Sequence, residues 1–219
     1  MASKQRDPNA TQLCENLCEE LEKSAEAGNL AGVTQILNEY KNNPQKYEPD
    51  IFKLMVGNAL WRSCEMGHLE CVQMLQPVCP KKDMFHAIMG ACNYGNTQTL
   101  DFLLSVYKWE NSATKKDALL CAVSSGSIET VKYMLNQTRN KTHRNEALCE
   151  ASRIKNQEIF DLLYPLSNPQ SALHFMDNSP ETTDDEKQML KNEIARRQNM
   201  FISEAIGKTV GIPSRKNKM

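Results

Sequence analysis

Apolar positions return along this chain at i, i+3, i+4 spacing, and the groups come in pairs. Each pair opens with a short segment ending in two small residues. Two variable residues, a Gly and a polar residue follow, and then a second segment carries a larger apolar stripe. Five stretches share this order: Leu21 to Leu37, Leu60 to Leu75, Ile88 to Leu104, Leu119 to Leu135, and Leu148 to Tyr164. The turn glycines are Gly28, Gly67, Gly95 and Gly126, with Lys155 in the equivalent place of the fifth; their spacings are 39, 28, 31 and 29 residues. A short helix, a tight turn and an antiparallel second helix are predicted for each. The small pairs Ser24-Ala25, Ser63-Cys64, Ala91-Cys92, Ala122-Val123 and Ala151-Ser152 stand where neighbouring first helices must approach closely. No such helix pair buries its apolar face alone, so the pattern demands stacking.

The interruptions are also patterned. Residues 41–50 form a polar, Pro-punctuated insertion, after which Asp50 is expected to cap a longer helix carrying Phe52, Leu54 and Leu60. A second long finger is expected from Tyr107 to Lys116, holding Trp109. Asp7-Pro8 reads as a helix start, with Leu13, Leu17 and Leu21 along one apolar face. Gln170 to Met176 fits a short sixth first-helix. Ser179 to Glu186 is an acidic helix-start signal before an amphipathic stretch from Lys187 to Ile206.

These units resemble ankyrin repeats. Asn58-Ala59-Leu60-Trp61, Arg62, Ser63-Cys64, Glu65-Met66 and Gly67-His68 follow that family's order, as do Asp117-Ala118-Leu119-Leu120, Cys121, Ala122-Val123, Ser124-Ser125 and Gly126. The Thr-Pro-Leu-His element is nowhere intact, and Asp83, Asp117 and Asn145 are the expected substitute N-caps. The resemblance covers roughly residues 19–164 and implies an all-α, ankyrin-like helical-pair solenoid with N- and C-terminal helical caps. The expected organisation is a flexible N-terminus (1–6), five ankyrin-like repeats (7–168), a C-terminal helical cap (169–207) and a basic mobile tail (208–219). A different helical-pair solenoid is the architectural alternative.

Composition removes whole classes of function. Of 219 residues, 26 are Lys or Arg and 27 Asp or Glu, a net charge of −1, so no whole-molecule attraction to nucleic acid or anionic membrane is expected. No apolar run is long enough to span a membrane, and the polar Met1 to Asn9 stretch gives no secretory signal. The 8 cysteines are spread along helical patterns with no Cys-x-x-Cys pair. Buried thiols in a reducing, cytoplasmic setting are therefore expected, rather than disulfides or a zinc site. The 19 asparagines, Asn145 apart, are read as a compositional bias of little weight. No phosphate loop, nucleophile elbow or His-Glu-x-x-His motif occurs. No catalytic residue, metal ligand or cofactor is expected, and His68, following Gly67 as in the family pattern, is expected to be structural.

What remains is recognition. In the ankyrin arrangement the variable pair before each turn emerges on the concave side. Arg62, Glu65, Met66, Asn93, Tyr94, Trp109, Ser124, Ser125, Arg153 and Ile154 are accordingly the candidate partner-binding residues. Met66, Tyr94, Ile154 and Trp109 are unusual for solvent-facing positions and suit anchors within a polar rim. The competing account tucks Met66 and Ile154 into the stack and folds Trp109 onto its own loop. The expected function is non-enzymatic binding of a partner protein by a monomer. Degenerate repeats also resemble effectors that intracellular bacteria deliver into the host cytosol, and a small eukaryotic or viral adaptor is the other source. A further alternative places activity, as effector or enzyme, in the C-terminal helical region with the repeats as scaffold.

Overall fold

The computed structural model describes residues 8–107 and 112–210, with side chains over 11–107 and 113–205. Among the described residues there are twelve α-helices, four short 3-10 turns and no strand. They divide into two compact units, Met1–Arg139 and Asn140–Met219.

The first unit is a run of helical hairpins: α1 (Pro8–Glu26) with α2 (Leu30–Asn42), α3 (Pro49–Met66) with α4 (Leu69–Leu75), α5 (Met84–Asn93) with α6 (Thr97–Val106), and α7 (Ser112–Ser124) with α8 (Ile128–Gln137). First helix packs on first helix in the series α1, α3, α5, α7. The small pairs make this possible: Ala25, Ser63, Cys64, Ala91, Cys92, Ala122 and Val123 are all buried. Between those rows lie Leu60, Leu75, Ile88, Leu100, Leu103, Leu119 and Met134, fully enclosed.

Each hairpin turns through a left-handed residue. Gly28, Gly67, Gly95 and Gly126 have φ of 67°, 75°, 75° and 74°, and Lys155 takes the same conformation at 57°. In the first three turns and the fifth the chain closes in a Schellman pattern, as where His68 N–H donates to the Ser63 carbonyl at 2.9 Å and Gly67 N–H to Cys64 at 3.3 Å. The missing side chain has a second purpose. A Cβ on Gly28 would meet the His68 ring at 2.7 Å, one on Gly67 would meet Asn96 Oδ1 at 2.8 Å, and one on Gly95 would meet Ser127 Cβ at 2.9 Å. The residue after each turn glycine thus lies against the turn glycine of the preceding repeat.

The second unit holds α9 (Lys141–Arg153), α10 (Gln157–Leu163), α11 (Pro169–Asn178) and α12 (Asp184–Val210). Helices α11 and α12 both pack on α9. Asn145 is not the expected cap: it lies inside α9, where its Oδ1 accepts the Asn168 backbone N–H at 2.8 Å. Thr183 and Glu186 form a capping box at the start of α12, with Thr183 N–H donating to Glu186 Oε2 and Glu186 N–H to Thr183 Oγ1. The Thr183 N–H and hydroxyl, both donating to Oε2, lower the Glu186 pKa.

Several sequence expectations are corrected. Asp50 lies in the first turn of α3, which starts on Pro49 after Glu48. Asp117 lies inside α7, and Asp83 stands at the N-cap of α5 without a side-chain capping bond. Leu13 is 44% exposed; the buried stripe of α1 is Cys14, Cys18, Leu21 and Ala25, because thiols fit the close approach of α3 better than leucines. The finger from Tyr107 to Lys116 is shorter than expected, since α7 already begins at Ser112.

Candidate functional site

The candidate residues fall at the C-terminal ends of first helices, just before the left-handed turns. In the first unit the turn holds Met66 and Tyr94 outward, 44% and 57% exposed, with Asn93 and Ser124 also exposed. Met66 and Tyr94 stand immediately before Gly67 and Gly95, whose left-handed closure reverses the chain at that point. Neither Met66 nor Tyr94 tucks into the stack.

Glu65 departs from its expected exposure. It is buried at 6%, and its Oε2 accepts a hydrogen bond from Arg62 Nη1 at 3.0 Å. Arg62, half-buried, also places its guanidinium 4.8 Å from the centre of the Trp61 ring. Glu65 and Arg62 therefore form a braced pair behind Met66 rather than two independent contacts. Ser125 is half-buried and occupied locally, its Oγ donating to the Ala122 carbonyl at 2.7 Å. Trp109 lies outside the described residues. In the second unit Arg153 is exposed and grips Glu150 with two bonds of 2.8 and 2.7 Å, while Ile154 is half-buried.

The asparagines the pattern left unexplained supply much of the local order. Asn29, Asn140, Asn156 and Asn168 cap α2, α9, α10 and α11 through side-chain oxygens. Asn96 reaches further, donating from Nδ2 to the carbonyls of Cys64 at 2.8 Å and Glu65 at 2.6 Å. His68 does the same one repeat earlier, its Nε2 donating to Glu26 at 2.9 Å. His68 is thus structural, and the Asn96 bonds hold the end of α3 that displays Met66.

No cysteine is in a disulfide, and burial pushes several thiols up: Cys18, Cys79 and Cys149 to about 12, with Cys64 and Cys92 also raised. Such thiols are poor nucleophiles at neutral pH. Among the described residues no group of three or more His, Cys, Asp or Glu is arranged to hold a metal ion, and no helix is long and apolar enough to cross a membrane.

Beside Arg62 a cleft of about 410 Å³ opens between α3 and the start of α5. Trp61 forms one wall, lying so close to Gly90 that a Cβ there would meet its ring at 2.8 Å. Sequence reading missed this cleft; its contributors are some twenty-five residues apart and share no motif.

Stacked helical hairpins, joined by left-handed turns and cross-linked through His68 and Asn96, define a helical-repeat protein. Residues 88–172, from α5 into α11, match the family described as ankyrin repeats (3 copies), a match that supports an ankyrin-repeat assignment. The architecture is accordingly that of a helical solenoid, and the class of function is a protein-interaction module. No curated protein and no solved structure matches the chain.

Proposed function

We propose that this chain is a non-enzymatic binding protein that recognises a partner protein through the row of side chains before its turns. Met66 and Tyr94 are the anchors of that row, and Asn93 and Ser124 form part of its polar rim. The exposure of Met66 and Tyr94 carries the reading: large apolar side chains at positions fixed by the turn geometry cost solvation unless a partner covers them. The rigid scaffold behind them limits the ordering cost of binding. Arg62 and Glu65 support the row from behind, Arg153 and Ile154 extend the candidate set in the second unit, and Trp109 is a further proposed anchor.

Five repeats over 7–168, a helical cap over 169–207 and a monomeric state complete the proposal. Eight thiols embedded in helix packing suit a reducing cytosol, that of a host cell if the protein is a bacterial effector. The test is capture of a partner from cytosolic extract by the full chain and by a Met66→Asp/Tyr94→Asp variant. The variant should keep the helical spectrum and lose the partner. Undiminished capture by a folded variant would remove the row from the function.

A second reading has its own support. Leu190 and Ile194 are buried, but Phe201 and Ile202, further along α12, are 48% and 58% exposed. The end of α12 would then be the binding element, with the repeats as scaffold. A Phe201→Asp/Ile202→Asp variant that loses the partner while Met66→Asp/Tyr94→Asp keeps it would favour this reading.

A further inference from the structure

The cleft between α3 and α5 has the makings of a specificity pocket. Its walls are mostly apolar, with Leu54 and Trp61 from α3 facing Met89 from α5, and Asn58 and His86 add polar atoms to the lining. Asp83, on the turn entering α5, contributes a carboxylate to the lining. Its Oδ2 is buried and has no hydrogen-bond partner among the described residues. Lys81 and Lys82, its neighbours in the chain, are exposed and do not satisfy that oxygen. The α5 N-terminus does not use it either, since Asp83 makes no capping bond.

Gly57 and Gly90 let two of the lining side chains pack closely against the helices. A Cβ on Gly57 would stand 3.0 Å from Asp83 Oδ2, and one on Gly90 would collide with the indole. Two small residues on facing helices thus leave room for a carboxylate at one place and a tryptophan at another. Arg62 is already paired with Glu65 at 3.0 Å and lies over the Trp61 ring.

We infer that this cleft receives an arginine side chain of the partner protein, its methylenes against Leu54, Trp61 and Met89 and its guanidinium on Asp83. An unpaired carboxylate oxygen is costly to bury, and a charged donor relieves that cost best. Mostly apolar walls around a single carboxylate match a long aliphatic stem ending in a cation. Guanidinium is more weakly hydrated than ammonium and presents its donors in a rigid fork, which favours arginine over lysine in a partly closed site. The volume lies within the usual range for ligand clefts of ~300–1,000 Å³. The inference rests on the recognition reading above and names the chemistry that the partner must present.

The test uses the full chain and two small probes, N-acetyl-L-arginine methylamide and its neutral isostere N-acetyl-L-citrulline methylamide. Binding is followed by the amide signals of Gly57 and Gly90 and the indole N–H of Trp61, the last assigned with a Trp109→Phe variant. The arginine probe should give saturable shifts at these positions and bind at least tenfold more tightly than the citrulline probe. Asp83→Asn should abolish that advantage. Leu54→Lys, which changes an exposed residue and leaves Asp83 in place, should weaken the arginine probe by a similar factor.

Equal response to the two probes, no saturable shift, or an advantage surviving in either folded variant overturns the inference. The Met66→Asp/Tyr94→Asp variant separates the two levels. If the arginine probe fails but that variant still loses the partner, the recognition row stands and the pocket falls. If the probe binds as expected but partner capture ignores Met66 and Tyr94, the pocket stands and the row falls.

Discussion

At the residue scale, the positions after the turns matter as much as the turn glycines. Asn96 donates to two carbonyls at the end of α3, that of Cys64, which also accepts the Gly67 N–H, and that of Glu65, at a terminus where carbonyls run short of intrahelical donors. Asn96→Ala should therefore cost about 1–3 kcal/mol in urea unfolding, the penalty for stranding partly buried acceptors. Lys155 offers the opposite case. It adopts φ 57° where the other turns have glycine, a conformation that L-residues with a Cβ disfavour by roughly 1–2 kcal/mol. Lys155→Gly should raise stability by about 0.5–1 kcal/mol, once the added freedom of the unfolded chain is subtracted. A loss of stability in the same urea titration would show that the lysine side chain contributes more than its backbone strain removes.

The thiols make a pH prediction at the same scale. Burial first, then Asp83 for Cys79 and Glu146 for Cys149, raise both pKa values to about 12. An unfolded thiol loses its proton near pH 8.5, so above that pH the folded state holds more protons than the unfolded one. Stability from these groups is complete below about pH 8.5 and falls as pH rises toward 12, by up to about 1.4 kcal/mol per pH unit for each thiol. Urea midpoints should drop between pH 8 and 10.5, and the drop should be shallower in a Cys79→Ala/Cys149→Ala variant. An unchanged slope would assign the alkaline loss to other groups.

At the element scale, α12 does two different things along its length. Its first half is structural: Leu190 and Ile194 are buried, and Arg196 joins Asp161 of α10 at 2.6 Å while also holding Glu193 at 2.8 Å. Its later turns leave Phe201 and Ile202 in solvent, although Arg197 lies 4.8 Å over the Phe201 ring. The amphipathic stripe from Met189 to Ile206 was legible as one continuous face; only the packing shows that burial stops near Ile194. Side chains from Ile206 onward lie outside the described residues. Removing everything after Ser167 strips α11 and α12 from α9 and exposes their shared apolar surface. The truncated protein should aggregate in size-exclusion chromatography or melt at least ~5 °C lower, as a loss of several kcal/mol requires. A soluble, equally stable truncation would show that neither helix is a cap.

At the scale of the whole molecule, the prediction concerns how the chain is held together. Helix packing without disulfides should give a predominantly helical circular dichroism spectrum. Thermal midpoints should agree within a degree or two with and without reductant. A large fall on reduction would mean that thiols now placed as packing groups are bonded.

The repeat period, the helical class and the turn positions were all legible in the sequence, because they depend on neighbours within one helix or one turn. Gly28, Gly67, Gly95 and Gly126 announced left-handed turns, and Lys155 followed them by register alone. The burial of most second-helix stripes was equally legible, since helical spacing gathers those residues on one face. Other features depend on residues that meet only when repeats stack. Pairing of Asn96 with the end of α3, burial of Glu65 against Arg62, and the preference for Cys14 and Cys18 over Leu13 are of this kind. So is the cleft where Trp61 and Asp83 come together, 22 positions apart in the chain. Local order follows from local sequence; which side chain is left with an unused charge or an uncovered ring is decided by the neighbouring repeat, because only packing removes water from one side of a helix and not the other.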